Sequence, residues 1–407
     1  MPLEEKRVRL AVETEEEIMN YIDYIMETAQ KLLAIPSPAG FTHRAAEFVI
    51  KELRDMGYAP KKTTKGAVLV DLGGGVKSAS DSECRSTEGR TADLQGSSTA
   101  DFIAGYAEGS ESSPTNCAVA VETCNDPLLL AAHMDTLGAM VEQIKSNGHL
   151  KLTRIGGLMP NNTEGENCHV YTRDGRVFDA TFQLENPSVH VNGEYSEKKR
   201  SYDSMEAIVD ELVSTKEEVE ALGIMNGDFV CFEPRTVVTA SGFIKSRFLD
   251  DKFSSCILLA YAKYLKDQQI TPQRHVYLLF TTYEEVGHGC SASVPEEVKE
   301  ILCVDMGCVG DGLECDETKV SICAKDSHGP YDYTVVSNLV RAAREAGVAF
   351  AVDVYPHYGS DADAALTAGH DVRHGLIGPG VFASHGYERS HRLGAENTFR
   401  LLCAYLG

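Results

Sequence analysis

The sequence predicts an α/β fold: a mixed sheet flanked by helices, interrupted by a small β-rich segment. Apolar runs without helical spacing at Leu128–Ala132, Val276–Thr282 and Ile301–Val304 read as buried strands. Stretches with helical spacing alternate with these runs. Between about Gly138 and Ser241 the texture changes to short alternating runs cut by turns at Asn147-Gly148, Gly156-Gly157, Asp174-Gly175 and Asn226-Gly227, the mark of a β-rich unit.

Taken in order, the first predicted helix spans Glu15 to Leu33, with Ile18, Ile22, Ile25, Met26 and Ala29 on one face. The prolines of Ile35-Pro36-Ser37-Pro38 break it. A second helix runs from about Thr42, a candidate N-cap, to Met56 and stops at Gly57. A strand follows at Ala67–Asp71. Residues 77–116 are rich in Ser, Thr, Gly and acidic side chains and read as a flexible surface insertion. Such an insertion costs only about 0.6 kcal/mol per doubling of its length. Helical spacing resumes from Leu249 to about Leu265, and α/β alternation continues to the C-terminus. Residues 1–137 and 242–407 are therefore expected to form one α/β domain, interrupted by an inserted domain over 138–241.

At 407 residues the chain can build one large core or two moderate ones. Its net charge of −23 argues against nucleic acid or an anionic membrane as a partner. The first residues lack the apolar centre of a signal peptide, and no stretch reaches the roughly 18 apolar residues of a membrane span. The 12 cysteines are scattered without a CxxC pair, as in a reduced, cytoplasmic protein. Cys84, Cys117 and Cys124 lie in or near the polar stretch and are candidates for exposure.

The strand ends carry the chemistry. Ligands gather at the carboxyl ends of strands in open α/β sheets, and here those ends bear His133-Met134-Asp135, Glu284-Glu285 and Asp305. Residues two apart on an extended segment share a side, so Asp135 can accept a hydrogen bond from the His133 ring. Two adjacent carboxylates repel unless a cation offsets them. Adjacent residues also diverge, so one can hold a metal while the other faces an attacking water. Val286-Gly287-His288-Gly289 lets backbone approach the site. Asp250 and Asp251 stand where carboxylates also cap helices, and Asp305 stands where Asp also serves in turns. The cluster Ser384-His385-Gly386-Tyr387-Glu388-Arg389-Ser390-His391 offers further ligands, with spacing alone not choosing between His385 and His391.

In their order along the chain, AAHMDTLGAMV, KLTRIGGLMP, MNGDFVCFEP, SRFLDDKFSSCILLAYA, TTYEEVGHG, CVDMG, YGSDADAA and FASHGYERSH resemble the glutamyl-aminopeptidase family of dinuclear metallo-aminopeptidases, also called tetrahedral aminopeptidases. The resemblance runs from about Leu128 to the C-terminus. It implies a zinc-peptidase-like α/β fold whose inserted domain is small, β-barrel-like and used for dimerisation or as a lid. It implies two divalent metal ions per subunit, zinc or cobalt, bridged by Asp250 and completed by His133, Glu285, Asp305 and His385. Glu284 would be the general acid/base for attack by a metal-bridging water, and Asp135 would orient His133. Asp361 matches a family position near the site. The implied activity is removal of N-terminal residues from short peptides by a homo-oligomer, from dimer to dodecamer.

Thr136, Lys252, His288 and HGYERSH depart from the family's usual residues, and the 77–116 insertion is unusual. Two other readings are a related zinc carboxypeptidase or deacylase, and a catalytically silent scaffold of the same fold. The interruption directly after HMD favours the aminopeptidase over the first. Retention of every proposed ligand and of Glu284 favours it over the second.

Overall fold

The computed structural model describes residues 15–75 and 126–407; the insertion expected at 77–116, with Cys84, Cys117 and Cys124, lies outside them. A mixed sheet of 12 strands forms the body, and its centre is parallel. There Val276–Thr281, Leu128–His133, Glu300–Val304 and Arg373–Phe382 lie side by side in that order. Antiparallel strands, Val68–Gly73 among them, extend it on both sides. The α/β fold with a mixed sheet and flanking helices is the one the sequence predicts.

The central strands are apolar throughout because helices cover both faces. Leu128, Leu130 and Ala132 pack into one cluster with Ile22, Ile25, Phe253 and Phe399 of the helices Glu15–Leu33, Leu249–Asp267 and Arg392–Leu406. Leu129 and Ala131, pointing the other way, pack with Ile301, Ala362 and Ala365. The Leu249–Asp267 helix is buried almost all round, as expected for a helix wedged between the sheet and two others. Thr42 occupies the N-cap of the His43–Asp55 helix, but its side chain makes no capping hydrogen bond.

The β-rich segment closes into a six-stranded barrel, from Gly138–Ile144 to Phe229–Phe232. One helix, Lys216–Ala221, lies within it and starts with a capping box between Thr215 and Glu218. The next strand, Val237–Val238, pairs with Phe243–Ser246 in the large sheet, so the chain has left the barrel before residue 241. Barrel and sheet belong to one compact unit. Among the described residues, nine cysteines are free, and no helix is long and apolar enough to cross a membrane.

Leu130 lies fully buried at the centre of the histidine-bearing strand. Leu130→Ala should destabilise the protein by about 2–5 kcal/mol, the range for truncating a buried leucine. Urea unfolding monitored by circular dichroism measures this directly, and a loss under 1 kcal/mol would mean that the sheet centre is not the core it is taken to be.

Candidate active site

Parallel pairing brings the site together. Thr281 is in register with His133, and Cys303 with Ala131, so the chain after each strand emerges at the same edge of the sheet. Glu284, Glu285, Asp135 and Asp305 leave from that edge, and His385 follows the Arg373–Phe382 strand. Asp250 arrives from the side, at the start of the Leu249–Asp267 helix. Both Asp250 and Asp251 have non-helical backbone angles there, so Asp250 is not a simple helix cap.

His133 is buried, and its Nε2 lies 3.0 Å from Oδ1 of Asp250, 3.6 Å from Glu284 and 4.0 Å from Asp305. The His385 Nε2 lies 3.5 Å from Oδ2 of Asp250 and 3.6 Å from Glu285. Two groups capable of holding a metal ion result: His133, Asp250 and Asp305, and Asp250, Glu285 and His385. Asp250 is common to both. All five residues expected as ligands converge, with Glu284 beside them.

His391 does not join them. Its Nδ1 accepts the Leu393 N–H at 3.1 Å and its Nε2–H donates to the Ser241 carbonyl at 2.8 Å, so it caps the final helix.

The part expected of Asp135 is corrected. The Nδ1–H of His133 donates to the backbone carbonyl of Asp135 at 2.9 Å, while the nearer carboxylate oxygen stands off at 3.9 Å. That carboxylate instead accepts the N–H groups of Glu284 and Glu285 at 3.1 and 3.3 Å. The carbonyl contact still fixes the tautomer and leaves Nε2 facing the cluster. The reason for the exchange is the turn at Tyr283, whose φ of 67° swings the next two N–H groups towards Asp135.

Further residues support the site. Glu388, almost fully buried, accepts the N–H groups of Leu249 (2.6 Å), Asp250 (3.2 Å) and His385 (3.1 Å). Asp251 accepts the His133 N–H at 3.3 Å. Lys65 donates to the carbonyls of His288 and Gly289. Asp361 accepts from Thr281 at 2.5 Å, and a Cβ at Gly289 would collide with its carboxylate. The barrel contributes as well. Gly157 lies flat against the His385 ring, where a side chain would clash, and Asn162 donates to the His385 carbonyl at 3.1 Å.

The electrostatics follow from burying many acids together. Burial pushes Glu284 and Glu285 well above the usual carboxylate range, and neighbouring carboxylates push them further. Burial, then Asp250, moves Asp305 up to about 7, and burial moves Asp135 to about 6. Burial alone would lower His133, but its bond to Asp250 and the charges of Glu284 and Asp305 hold it well above its ordinary value. One buried oxygen of Glu285 has no hydrogen-bond partner. Mixed imidazole and carboxylate donors, surplus negative charge and an unpaired ligand oxygen fit divalent cations.

The cluster opens onto a cavity of about 700 Å³, also lined by Tyr358, Ala364, Thr367 and Ala368. A third acidic group, Asp326, His328 and Asp363, lies beside that cavity. Asp326 is engaged there by the N–H of His328 and the hydroxyl of Tyr331, so it stitches a loop.

The family model described as M42 glutamyl aminopeptidase matches residues 117–401. A Bacillus subtilis (strain 168) protein named "Putative aminopeptidase YhfE" is 36% identical over 388 residues, covering 95% of this chain and 99% of its own. Among solved structures, an aminopeptidase from the archaeon Desulfurococcus kamchatkensis superposes with a TM-score of 0.73 at 20% identity, over 96% of this chain and 95% of its own. The TET1 peptidase of Pyrococcus horikoshii, described as assembling into a tetrahedron or a large octahedral shell, gives 0.72 at 20% identity, over 94% and 99%. These two structural likenesses establish the shared fold, and the family match covers most of the chain. The chain belongs to the M42 glutamyl aminopeptidase family.

Proposed function

We propose that the protein is a metal-dependent aminopeptidase that removes N-terminal residues from short peptides. The observation that carries this reading is Asp250, whose two oxygens face different histidines and so belong to two ligand groups at once. His133 and Asp305 would complete one site, Glu285 and His385 the other, each for zinc or cobalt. When bound, two such ions activate a water and polarise the scissile carbonyl.

The chain's own residues supply the rest. Glu284 faces the cavity, 3.6 Å from His133. It takes the proton of the attacking water and delivers it to the leaving amine. In the metal-free protein, burial and then the charges of Asp305, Asp361 and Asp250 raise its proton affinity. Asp135 fixes the backbone of Glu284 and Glu285, so their side chains diverge into separate roles. The surplus negative charge favours a substrate's free α-ammonium group, which selects chain ends over internal bonds.

The TET1 likeness supports a homo-oligomer, with residues 138–241 serving as an inserted dimerisation or lid domain. The free, mostly buried cysteines among the described residues support a reducing, cytoplasmic setting.

Hydrolysis of aminoacyl p-nitroanilides by the purified protein tests the reading. Chelation should abolish it and zinc or cobalt restore it. An N-acetylated peptide cleaved as fast as its free form would overturn the exopeptidase assignment. Glu284→Gln should lower kcat by about 10²–10⁴-fold while leaving metal content and thermal unfolding unchanged, and normal turnover in that variant would remove Glu284 from the mechanism.

Stability should also respond to pH in a characteristic way. A carboxyl whose folded pKa stands above its unfolded value stabilises below the unfolded pKa and gives that stability up as pH rises through the folded one. With Asp305 moved up to about 7 and Asp135 to about 6, chelated protein should lose stability between about pH 4 and pH 7. Zinc should offset the loss. The gap in Tm between zinc-loaded and chelated protein should therefore widen with pH across that window, and a constant gap counts against the metal-centred reading.

A further inference from the structure

We infer that Glu388 is a positioning residue that sets the geometry of the bridging aspartate and the last histidine together. The inference rests on the two-ion reading above and extends it to a residue that touches neither ion nor substrate. Asp250 and His385 belong to segments more than a hundred residues apart in sequence, yet they must meet within a few tenths of an ångström to share an ion. Both segments are held in unusual backbone conformations. Phe248, before the Leu249–Asp250 step, has a φ of 70°, and His385 itself has a φ of 62°, with Ala383 at 59°. Such angles in non-glycine residues persist only where the surroundings over-determine them.

Glu388 supplies that determination to both segments at once. It opens the strand Glu388–His391, which pairs with Phe243–Ser246 so that Glu388 lies opposite Ser246. Its Oε2 accepts the N–H groups of Leu249 and Asp250, which the turn at Phe248 presents to it. Its Oε1 accepts the N–H of His385. No cation pairs with it among the described residues, so its acceptor capacity goes to the backbone of these two ligand-bearing segments. A single buried carboxylate thus acts as a clamp, one oxygen for each segment. Removing one acceptor leaves one segment free to relax, and His385 has the fewest other ties: its ring is partly exposed, and Asn162 is the hydrogen-bond donor to its carbonyl.

Glu388→Gln separates the two halves of the clamp. The amide keeps one acceptor oxygen, which can serve the Leu249–Asp250 pair, and places an NH₂ against the His385 N–H. The expected result is a folded protein with near-normal Tm whose affinity for one of two cobalt ions falls about 10–100-fold, the usual cost of losing a ligand's supporting partner. The other ion, held by His133, Asp305 and Asp250, should be much less affected. Cobalt titrated into the metal-free full-length chain reads this out by calorimetry and by visible absorption, without reference to activity. The same ion should be lost in His385→Ala. For aminoacyl p-nitroanilides, kcat should fall with little change in KM, and excess cobalt should recover part of it.

If parent protein binds two cobalt ions and Glu388→Gln binds both equally well with unchanged kcat, the inference is overturned and the proposed function stands. If both ions weaken alike, Glu388 supports the site as a whole and the clamp assignment fails. Should Glu388→Gln unfold, Glu388→Asp, which keeps the charge but is too short to span both segments, must show the same one-ion loss. If the parent binds no divalent ion, the proposed function fails and this inference falls with it.

Discussion

More carboxylates are buried at the carboxyl edge of this sheet than its two histidines can balance, and the rest of the site is arranged around that surplus. Asp250, Glu284, Glu285 and Asp305 sit within a few ångströms of His133 and His385. Left uncompensated, such a cluster costs stability through desolvation and mutual repulsion. Proton uptake relieves it in the absence of cations, which is why Asp305 is pushed up to about 7 and burial holds the two glutamates well above the usual carboxylate range. Divalent cations relieve it without neutralising the acids. The folding cost and the function therefore share one cause. A chain that spends stability to gather these acids gains a site with high demand for positive charge.

That gathering depends on two parts of the structure that meet at His385. The parallel sheet delivers His133, Asp135, Glu284 and Asp305 from one edge, each at a depth set by strand register. The barrel begins at Gly138, just after Asp135, and after Phe232 the chain rejoins the sheet through Val237–Val238 and Phe243–Ser246 ahead of Asp250. Its Gly156-Gly157 turn reaches back to pack on Glu285 and His385. The barrel is thus part of the wall that holds Glu285 and His385 in place.

Much of this was legible in the sequence, for identifiable reasons. Buried parallel strands are continuous apolar runs, and Leu128–His133, Val276–Thr281 and Glu300–Val304 are apolar through almost their whole length. The residues that end or follow them must be near one another once the strands pair. The β-rich segment announced itself by its turns. What stayed hidden depends on backbone conformation. Asp250 sits where a helix cap is expected, and its non-helical angles and its approach to two histidines show only in the fold. His385 and His391 are indistinguishable by type, yet one faces the cluster and the other caps a helix. The ring of His133 and the carboxylate of Asp135 share a side of the strand, as periodicity requires. The turn at Tyr283 nevertheless offers that carboxylate two better donors.

Those better donors belong to a wider pattern that explains how a repulsive cluster can be held in place. Asp135 takes the N–H groups of Glu284 and Glu285, Asp251 takes that of His133, and Glu388 takes those of Asp250 and His385. The Asp305 N–H is bonded to the carbonyl of Ile377 in the neighbouring strand. The acids thus divide into two populations, one facing the histidines and one accepting backbone N–H groups of the site residues. Hydrogen bonds from N–H to a carboxylate are stronger than those between neutral groups. They fix the main chain of the residues that carry the site. In the tandem pair Asp250-Asp251 the two residues fall into different populations because consecutive side chains diverge. In Glu284-Glu285, Asp135 secures both N–H groups, and the two side chains approach different histidines, His133 and His385. Adjacent acids that look redundant in the sequence therefore do separate jobs in the fold.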